Sequence, residues 1–381
     1  MTPTFDAAAL EQAFGAPSPP TLGLEEEVFL LAPATLDLAP VADEVLAGLD
    51  GDPRFTRELP AGQIEIVVPP AATVGEAVAG LAAARTDLAR ATAGQVGLAV
   101  AGLHPSAAAE GVLNAGPRYD ATAQEYAIVA RRQLVSALQV HVAVRGEGRT
   151  LAVYNALRSH LPDLAALAAN APFHDGRDTG LASGRPIVGG QLPRQGVPPP
   201  IPSWAAYAQA LAWTGDPGRW WWELRPHPRH GTLELRVPDA QTTVADAAGV
   251  AAFAQSLVVW LAERHDAGER LPVADTWRIE ENRWSACRHG VTGEMRDLDS
   301  GRAEPTRERL HRLLDAVSDV ARRLGCAAEL HHARRLVGRN GAIAMREAAD
   351  GDALRATRWL SERFLAGLTT DVGAPAPGLA G

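Results

Sequence analysis

Five short segments of this chain alternate apolar and polar residues with period two. In each, the polar side carries carboxylates, arginine, imidazole or amide instead of the threonine, serine and lysine of an ordinary solvated sheet face. Residues 22–30 put Leu22, Leu24, Val28 and Leu30 on one side and Glu25 with Glu27 on the other, with Glu26 the one misfit on the apolar side. Residues 63–66 oppose Ile64 and Ile66 to Gln63 and Glu65, and residues 138–142 oppose Leu138, Val140 and Val142 to Gln139 and His141. Residues 221–225 oppose Trp222 and Leu224 to Glu223 and Arg225, and residues 232–237 oppose Leu233, Leu235 and Val237 to Glu234 and Arg236. Side chains two apart on a strand share a face at about 7 Å. In one sheet, these strands bury their apolar faces against helices and gather the charged groups on a single surface.

That pattern predicts an α+β fold: a largely antiparallel curved sheet with a charged concave face, helices packed on its other face, and a helical C-terminal third. Apolar residues at helical spacing predict helices near 76–95, 122–134, 150–168 and 203–213, and residues 244–368 read almost wholly as helix. Residues 176–202 hold six glycines and six prolines and read as a long irregular, functional segment. The expected organisation is a lead-in over 1–20, a single catalytic domain over 21–370 (mixed to 243, mainly helical from 244), and a disordered tail over 371–381.

Clustered carboxylates repel one another unless they protonate, pair with arginine or bind cations. Several carboxylates without thiolates and with few imidazoles suit a hard ion such as magnesium or manganese. Arginines on the same surface complement phosphate or carboxylate, and metal with arginine in one concavity is the equipment of phosphoryl transfer. Taken singly, a Glu-x-Glu strand reads as a solvated face, Glu234 with Arg236 as an ion pair, His141 as a hydrogen-bonded histidine, and residues 220–222 as packing. Their coincidence on five strands points to a catalytic or metal-binding sheet. His227 with His230, and His331 with His332, have no third ligand at recognisable spacing.

Composition removes whole classes. All 36 basic residues are arginine, so a P-loop, a pyridoxal Schiff base and a protein-kinase strand lysine are all excluded. A net charge of −9 argues against general nucleic-acid binding. The two cysteines, Cys287 and Cys326, lie too far apart for a Cys-x-x-Cys pair. No basic, apolar leader opens the chain and no 18-residue apolar stretch stands out. The expectation is a cytoplasmic protein with no membrane or nucleic-acid partner.

Several motifs, in order, resemble the carboxylate-amine ligases known as type 2 glutamate–cysteine ligases, on the glutamine-synthetase-like catalytic fold. They are Gly23-Leu24-Glu25-Glu26-Glu27; Glu58 followed by Gly62-Gln63-Ile64-Glu65; Gly102-Leu103-His104-Pro105; Ala169-Asn170-Ala171-Pro172-Phe173; the segment 176–183; Glu223-Leu224-Arg225-Pro226; and Leu233-Glu234-Leu235-Arg236-Val237. The resemblance spans about 23–341. It implies ATP- and magnesium-dependent amide formation (manganese as the alternative ion) through an acyl phosphate, joining glutamate or a similar carboxylate to cysteine or another small amine. By position it implies Glu25, Glu27, Glu58, Glu65 and Glu234 as metal ligands, with Gln139 contributing an amide oxygen, and Arg236 beside the transferring phosphate. Glu27, Arg225 and His141 join Arg236 as catalytic candidates, His141 as acceptor of the amine proton. Gln63, Gln139, Asn170, Arg177, Arg185 and Glu223 are the nucleotide- and substrate-binding candidates. Gln139 stands where many members have histidine, Ser136 and Ala137 where Cys-Gly is usual, Leu181 where Tyr is usual and Pro238 where Cys is usual. These departures bear on substrate identity more than on reaction type. The open alternatives are a dedicated biosynthetic ligase with another acid and amine pair, and a catalytically silent nucleotide-binding relative; a homodimer is left open.

Overall fold

Strands that are apolar on one face need a partner surface, and in the computed structural model, which describes residues 6–15, 19–215 and 219–368, they find it in two long helices. The seven-stranded sheet comprises β1 (Leu22–Leu31), β2 (Phe55–Arg57), β3 (Gln63–Ala71), β4 (Gly97–Ala99), β5 (Leu138–Ala143), β6 (Leu224–His227) and β7 (Thr232–Leu235). Its spatial order is β2-β3-β1-β5-β7-β6, with β4 pairing the far end of β1. Every pairing within it is antiparallel. Strands β2 and β4 escaped the sequence reading because three residues are too few to display a period. The predicted segment 221–225 becomes strand only from Leu224, although Glu223 N–H still bonds Gly196 O and Arg236 N–H bonds Glu223 O at 2.8 Å.

The helices Val74–Ala91 and Val244–Asp266 cover the apolar face, burying Leu22, Leu24, Val28, Ile64, Ile66, Val140 and Leu235 in one core. Both start at a threonine cap: Thr73 and Thr243 side-chain oxygens accept from the third residue onward at 3.2 Å, contacts worth about 1 kcal/mol each. Val244–Asp266 is long and apolar enough to cross a membrane by composition, with mean hydropathy 1.6 over its most apolar 18-residue window, a stretch the sequence reading passed over; 78% of that window is buried inside this fold. Glu26, the misfit, lies on this apolar face fully buried, where Arg85 grips it through Nε at 2.7 Å and Nη2 at 2.6 Å. Arg85 spends its remaining donors on the carbonyls of Gln241, Thr242 and Phe364.

The charged face is divided. Beyond Glu27, β1 turns Phe29 and Leu31 to that face, where they pack with Met345, Ala349, Ala356 and Leu360 of the helices Gly341–Ala349 and Ala353–Arg363. The C-terminal helices therefore roof one end of the face and leave the other end open.

Other expectations need correcting. Ala7–Gly15, expected within a lead-in, is a helix whose Phe14 is fully buried and stacks on Trp204 with centroids 4.7 Å apart. The helix expected over 122–134 is two, Pro117–Tyr126 and Ile128–Arg131, broken at Ala127 with φ 49°. Residues 150–168 fold as Glu147–Leu157 and Leu161–Leu167 with a 3-10 turn between. The tail over 371–381 lies outside the described residues.

Candidate active site

Strand register decides which charged side chains meet. Glu27 faces Glu65 across β1 and β3, Glu25 faces Gln139 across β1 and β5, and His141 faces Glu234 across β5 and β7, with Arg225 opposite Glu234 on β6. Extending the β5–β7 register sets Gln139 opposite Arg236, and their side chains hydrogen-bond. Glu58 enters from the turn after β2, its Oε2 accepting from Leu59 N–H at 3.1 Å. The five patterns recognised as separate strands thus form three adjacent rows on one surface.

Two groups result, each with ligand atoms mutually within 4.8 Å: Glu25, His141 and Glu234; and Glu27, Glu58 and Glu65. Their electrostatics differ. Burial alone would raise Glu234, but Arg225 and Arg236 override it and hold this carboxyl far below its usual range. Burial likewise opposes ionisation of Glu25, and the His141 hydrogen bond and charge more than offset it. In the second group burial outweighs the lowering by Arg236 and by backbone N–H groups. Desolvation, then the neighbouring Glu58, lifts Glu27 to about 8. Desolvation also raises Glu58, and desolvation with Glu58, Glu25 and Glu27 puts Glu65 well above a normal carboxyl. Three carboxylates, Glu27 buried and Glu58 and Glu65 half-buried, with no arginine ion pair among the described residues, call for protons or a cation. Gln63 Oε1 is buried in the same wall without a hydrogen-bond partner. All-oxygen donors with an orphaned amide oxygen fit a hard divalent ion.

Two cavities flank these groups. One, of about 290 Å3, is lined by Glu27, Glu58, Gln63, Glu223, Arg185, Arg194, Trp221 and Arg236 among others. The other, of about 460 Å3, is basic: Arg57, Arg118, Arg219, Arg225 and Arg229 line it beside His227 and Tyr119. Glu58, Leu59 and Trp221 line both.

The candidates read from sequence separate into three kinds. Glu25, Glu27, Glu58, Glu65, Gln139, His141, Glu234, Arg225 and Arg236 converge as described. Gln139 is a bridge in this arrangement: its oxygen accepts from Arg236, and its nitrogen donates to Glu27 at 3.2 Å and to Glu65 at 3.3 Å. Gln63, Arg185 and Glu223 reach the smaller cavity, but Arg185 is committed to Asp239 at 2.8 Å and to two carbonyls, and Glu223 to Arg283. Asn170 and Arg177 are not brought to either cavity. Asn170 is fully buried, its Nδ2 donating to Ala240 O at 2.8 Å, and Gly341 packs so closely that a Cβ there would lie 2.2 Å from Asn170 Oδ1. Arg177 is exposed on the two-residue strand Arg177–Asp178, paired with Asp175.

Sequence reasoning missed Arg118, Arg194, Asp239 and Arg283, which sit on helices or irregular segments where no period marks a functional face. It also left His227 and His230 without a third imidazole. The two rings stack at 4.3 Å, and His141 meets them edge-on at 5.5 and 5.9 Å.

A charged sheet face carrying two sets of convergent acidic groups, with guanidinium groups beside them and two cavities against them, is the candidate active site of an enzyme. The chain belongs to glutamate–cysteine ligase family 2, whose profile matches residues 21–358. It is accordingly an ATP-dependent ligase forming carbon–nitrogen bonds. A Rubrobacter xylanophilus protein named provisionally as glutamate–cysteine ligase 2-3 is 41% identical over 84% of this chain and 90% of its own. A Rhodococcus jostii protein similarly named glutamate–cysteine ligase 2-2 is 37% identical over 82% and 87%. The fold is similar to that of glutamate–cysteine ligase from Francisella tularensis, solved in complex with AMP: TM-score 0.69, 12% identity, 93% of this chain and 90% of that one.

Proposed function

We propose that this protein forms an amide, of γ-glutamyl type, between a small carboxylic acid and an amine, with ATP and magnesium and through an acyl phosphate of the acid. The observation that carries this reading is the side-by-side placement of Glu25, His141, Glu234 and of Glu27, Glu58, Glu65 along β1, with Arg236 touching Glu234 and lining the smaller cavity. In this reading the arginine-lined cavity takes the nucleotide phosphates and the smaller one the acid and amine. Cysteine is the amine the family's name suggests, and the cytoplasm is the setting expected for such small substrates.

Glu25, His141 and Glu234 would hold one ion and Glu27, Glu58 and Glu65 the other. Bound there, divalent ions neutralise phosphate charge and make the terminal phosphorus more electrophilic. Arg236 and Arg225 stabilise charge on the transferring group, and both are oriented beforehand by Glu234, so little reorganisation is needed. His141 has Nδ1 fixed 3.1 Å from Thr232 Oγ1 and Nε2 3.3 Å from Glu25 Oε1; with Nε2 at the site, it is placed to take the amine proton unless the ion claims it. The apolar walls from Leu59, Pro60, Val135 and Leu192 limit water around a reactive acyl group.

The test is ADP release with magnesium, measured with glutamate and related acids against a panel of amines including cysteine, with product mass as readout. ADP formation requiring both acid and amine, with a product mass equal to acid plus amine less water, is expected. Nucleotide binding without turnover across the panel would instead favour a silent binding protein.

A further inference from the structure

Gln139 stands between the Arg236 guanidinium and two carboxylates of the Glu27, Glu58 and Glu65 group. It is 2% exposed and lies opposite Glu25 in the β1–β5 register. Its amide has one workable orientation. A guanidinium only donates, so the oxygen must face Arg236 and the nitrogen must face the acids. That is the arrangement found: Oε1 accepts from Arg236 Nη1, and Nε2 donates to Glu27 Oε1 at 3.2 Å and to Glu65 Oε1 at 3.3 Å. The amide oxygen is therefore committed to Arg236, and it is the nitrogen that meets the acidic group.

The charges on either side of this amide attract one another. Arg236 is close enough for its charge to act on Glu27, Glu58 and Glu65, yet among the described residues it forms an ion pair with Glu234 alone. Glu27 is held only by neutral donors, its Oε2 accepting from Ala137 N–H at 2.9 Å and its Oε1 from Gln139. Opposite charges this deep in a protein pair directly unless something occupies the space between them. The amide fills that space and gives each side a hydrogen bond without a counter-charge. Direct pairing would have two consequences. It would compensate the acids that are otherwise free to take a cation, and it would draw Arg236 off the wall of the smaller cavity.

We propose that Gln139 is a positioning residue that holds Arg236 apart from Glu27 and Glu65, keeping the carboxylates open to a divalent ion and the guanidinium open to the transferring group. The uses of the ion and of Arg236 rest on the ligase reading, while the separation of charge rests on the hydrogen bonds alone. This role differs from ligation of an ion by the amide oxygen.

The experiment uses Gln139→Met, similar in length but without the amide's donor and acceptor. A crystal structure of this variant without metal should show the Arg236 guanidinium within about 4 Å of a Glu27 or Glu65 oxygen, the range of an ion pair. Arg236 remaining with Glu234 and apart from both overturns the proposal. Magnesium calorimetry without nucleotide then compares wild type, Gln139→Met, Arg236→Met and the double variant. Gln139→Met should bind about 10- to 100-fold more weakly than wild type, as when a group orienting a metal ligand is lost. With Arg236 already removed there is nothing to hold apart, so adding Gln139→Met should change affinity by less than about twofold. The same loss in both backgrounds would make Gln139 an ion ligand and overturn the proposal, as would Gln139→Met binding magnesium like wild type. If Gln139→Met does not fold, Gln139→Asn, one methylene too short to span both sides, enters the same comparisons. Failure of the ligase reading would appear separately, as no ADP release with any acid and amine, and leaves the position of Arg236 in the variant to decide.

Discussion

If Glu27, Glu58 and Glu65 hold a divalent ion as proposed, its binding should be strongly pH-dependent. Glu27, lifted by burial and by Glu58 to about 8, is about 1% ionised at pH 6 and half ionised at pH 8, and only the ionised form ligates. On Glu27 alone the apparent Kd should tighten about 50-fold between those values, about 2 kcal/mol. Glu58 and Glu65, raised by the same causes, act in the same direction. The stability sign follows from the same shift. A carboxyl whose folded value exceeds its unfolded one binds more protons in the native state, so the metal-free protein loses stability as pH rises from about 4.5 to 8. Magnesium reverses that loss by taking the place of the protons. Titration calorimetry with magnesium at pH 6, 7 and 8, in two buffers of different ionisation enthalpy, reads both affinity and proton release; close to one proton per ion should leave Glu27 at pH 7. Affinity constant within twofold across that range, with heats independent of buffer, would refute the assignment. Glu27→Gln should weaken binding and flatten the profile.

Glu26→Gln leaves Arg85 buried without its counter-charge and should cost about 3–5 kcal/mol. With an unfolding entropy of about 0.8 kcal/mol/K for a chain of 381 residues, calorimetric melting should show a fall of about 4–6 °C, and a fall under 1 °C would contradict the pairing. Arg236→Ala should lower kcat by about 100- to 1,000-fold with an unchanged far-ultraviolet dichroism spectrum, whereas steady-state rates near normal would remove Arg236 from the reaction. Thr243→Ala deletes the cap of Val244–Asp266 and should cost about 1 kcal/mol, a melting shift of only a degree or two with kcat and KM unaltered.

Period-two alternation is a property of the backbone, so Glu25, Glu27, Glu65, Gln139, His141, Glu234, Arg225 and Arg236 could be assigned to one face before any pairing was known. Register then converted a shared face into contacts, and register depends on long-range partners that no local pattern encodes. Glu223 kept its position by bonding to residues 236 and 196 without completing a strand, so alternation placed it correctly for a reason other than strand extension. Asn170 illustrates the opposite failure. Its sequence neighbourhood resembles a family motif, yet its amide closes contacts between chain segments around Ala240 and Thr242.

What distinguishes the Glu27, Glu58 and Glu65 group from the other acids of the fold is pairing. Glu26 has Arg85, Asp163 has Arg309, Glu223 has Arg283, Asp239 has Arg185, and Glu234 has both Arg225 and Arg236. A chain whose basic residues are all arginine can make such pairs safely, because guanidinium keeps its charge when desolvated and grips a carboxylate with two donors, where a buried lysine would tend to lose its proton. Glu27, buried, and Glu58 and Glu65, half-buried, are given no such partner among the described residues; Glu27 and Glu65 accept instead from the neutral amide of Gln139. A fold that neutralises its other acids so consistently leaves these three raised and unpaired at a recurring energetic penalty. In the proposed reading a divalent ion would relieve that penalty, concentrating the gain from binding at the site assigned to the transferring group.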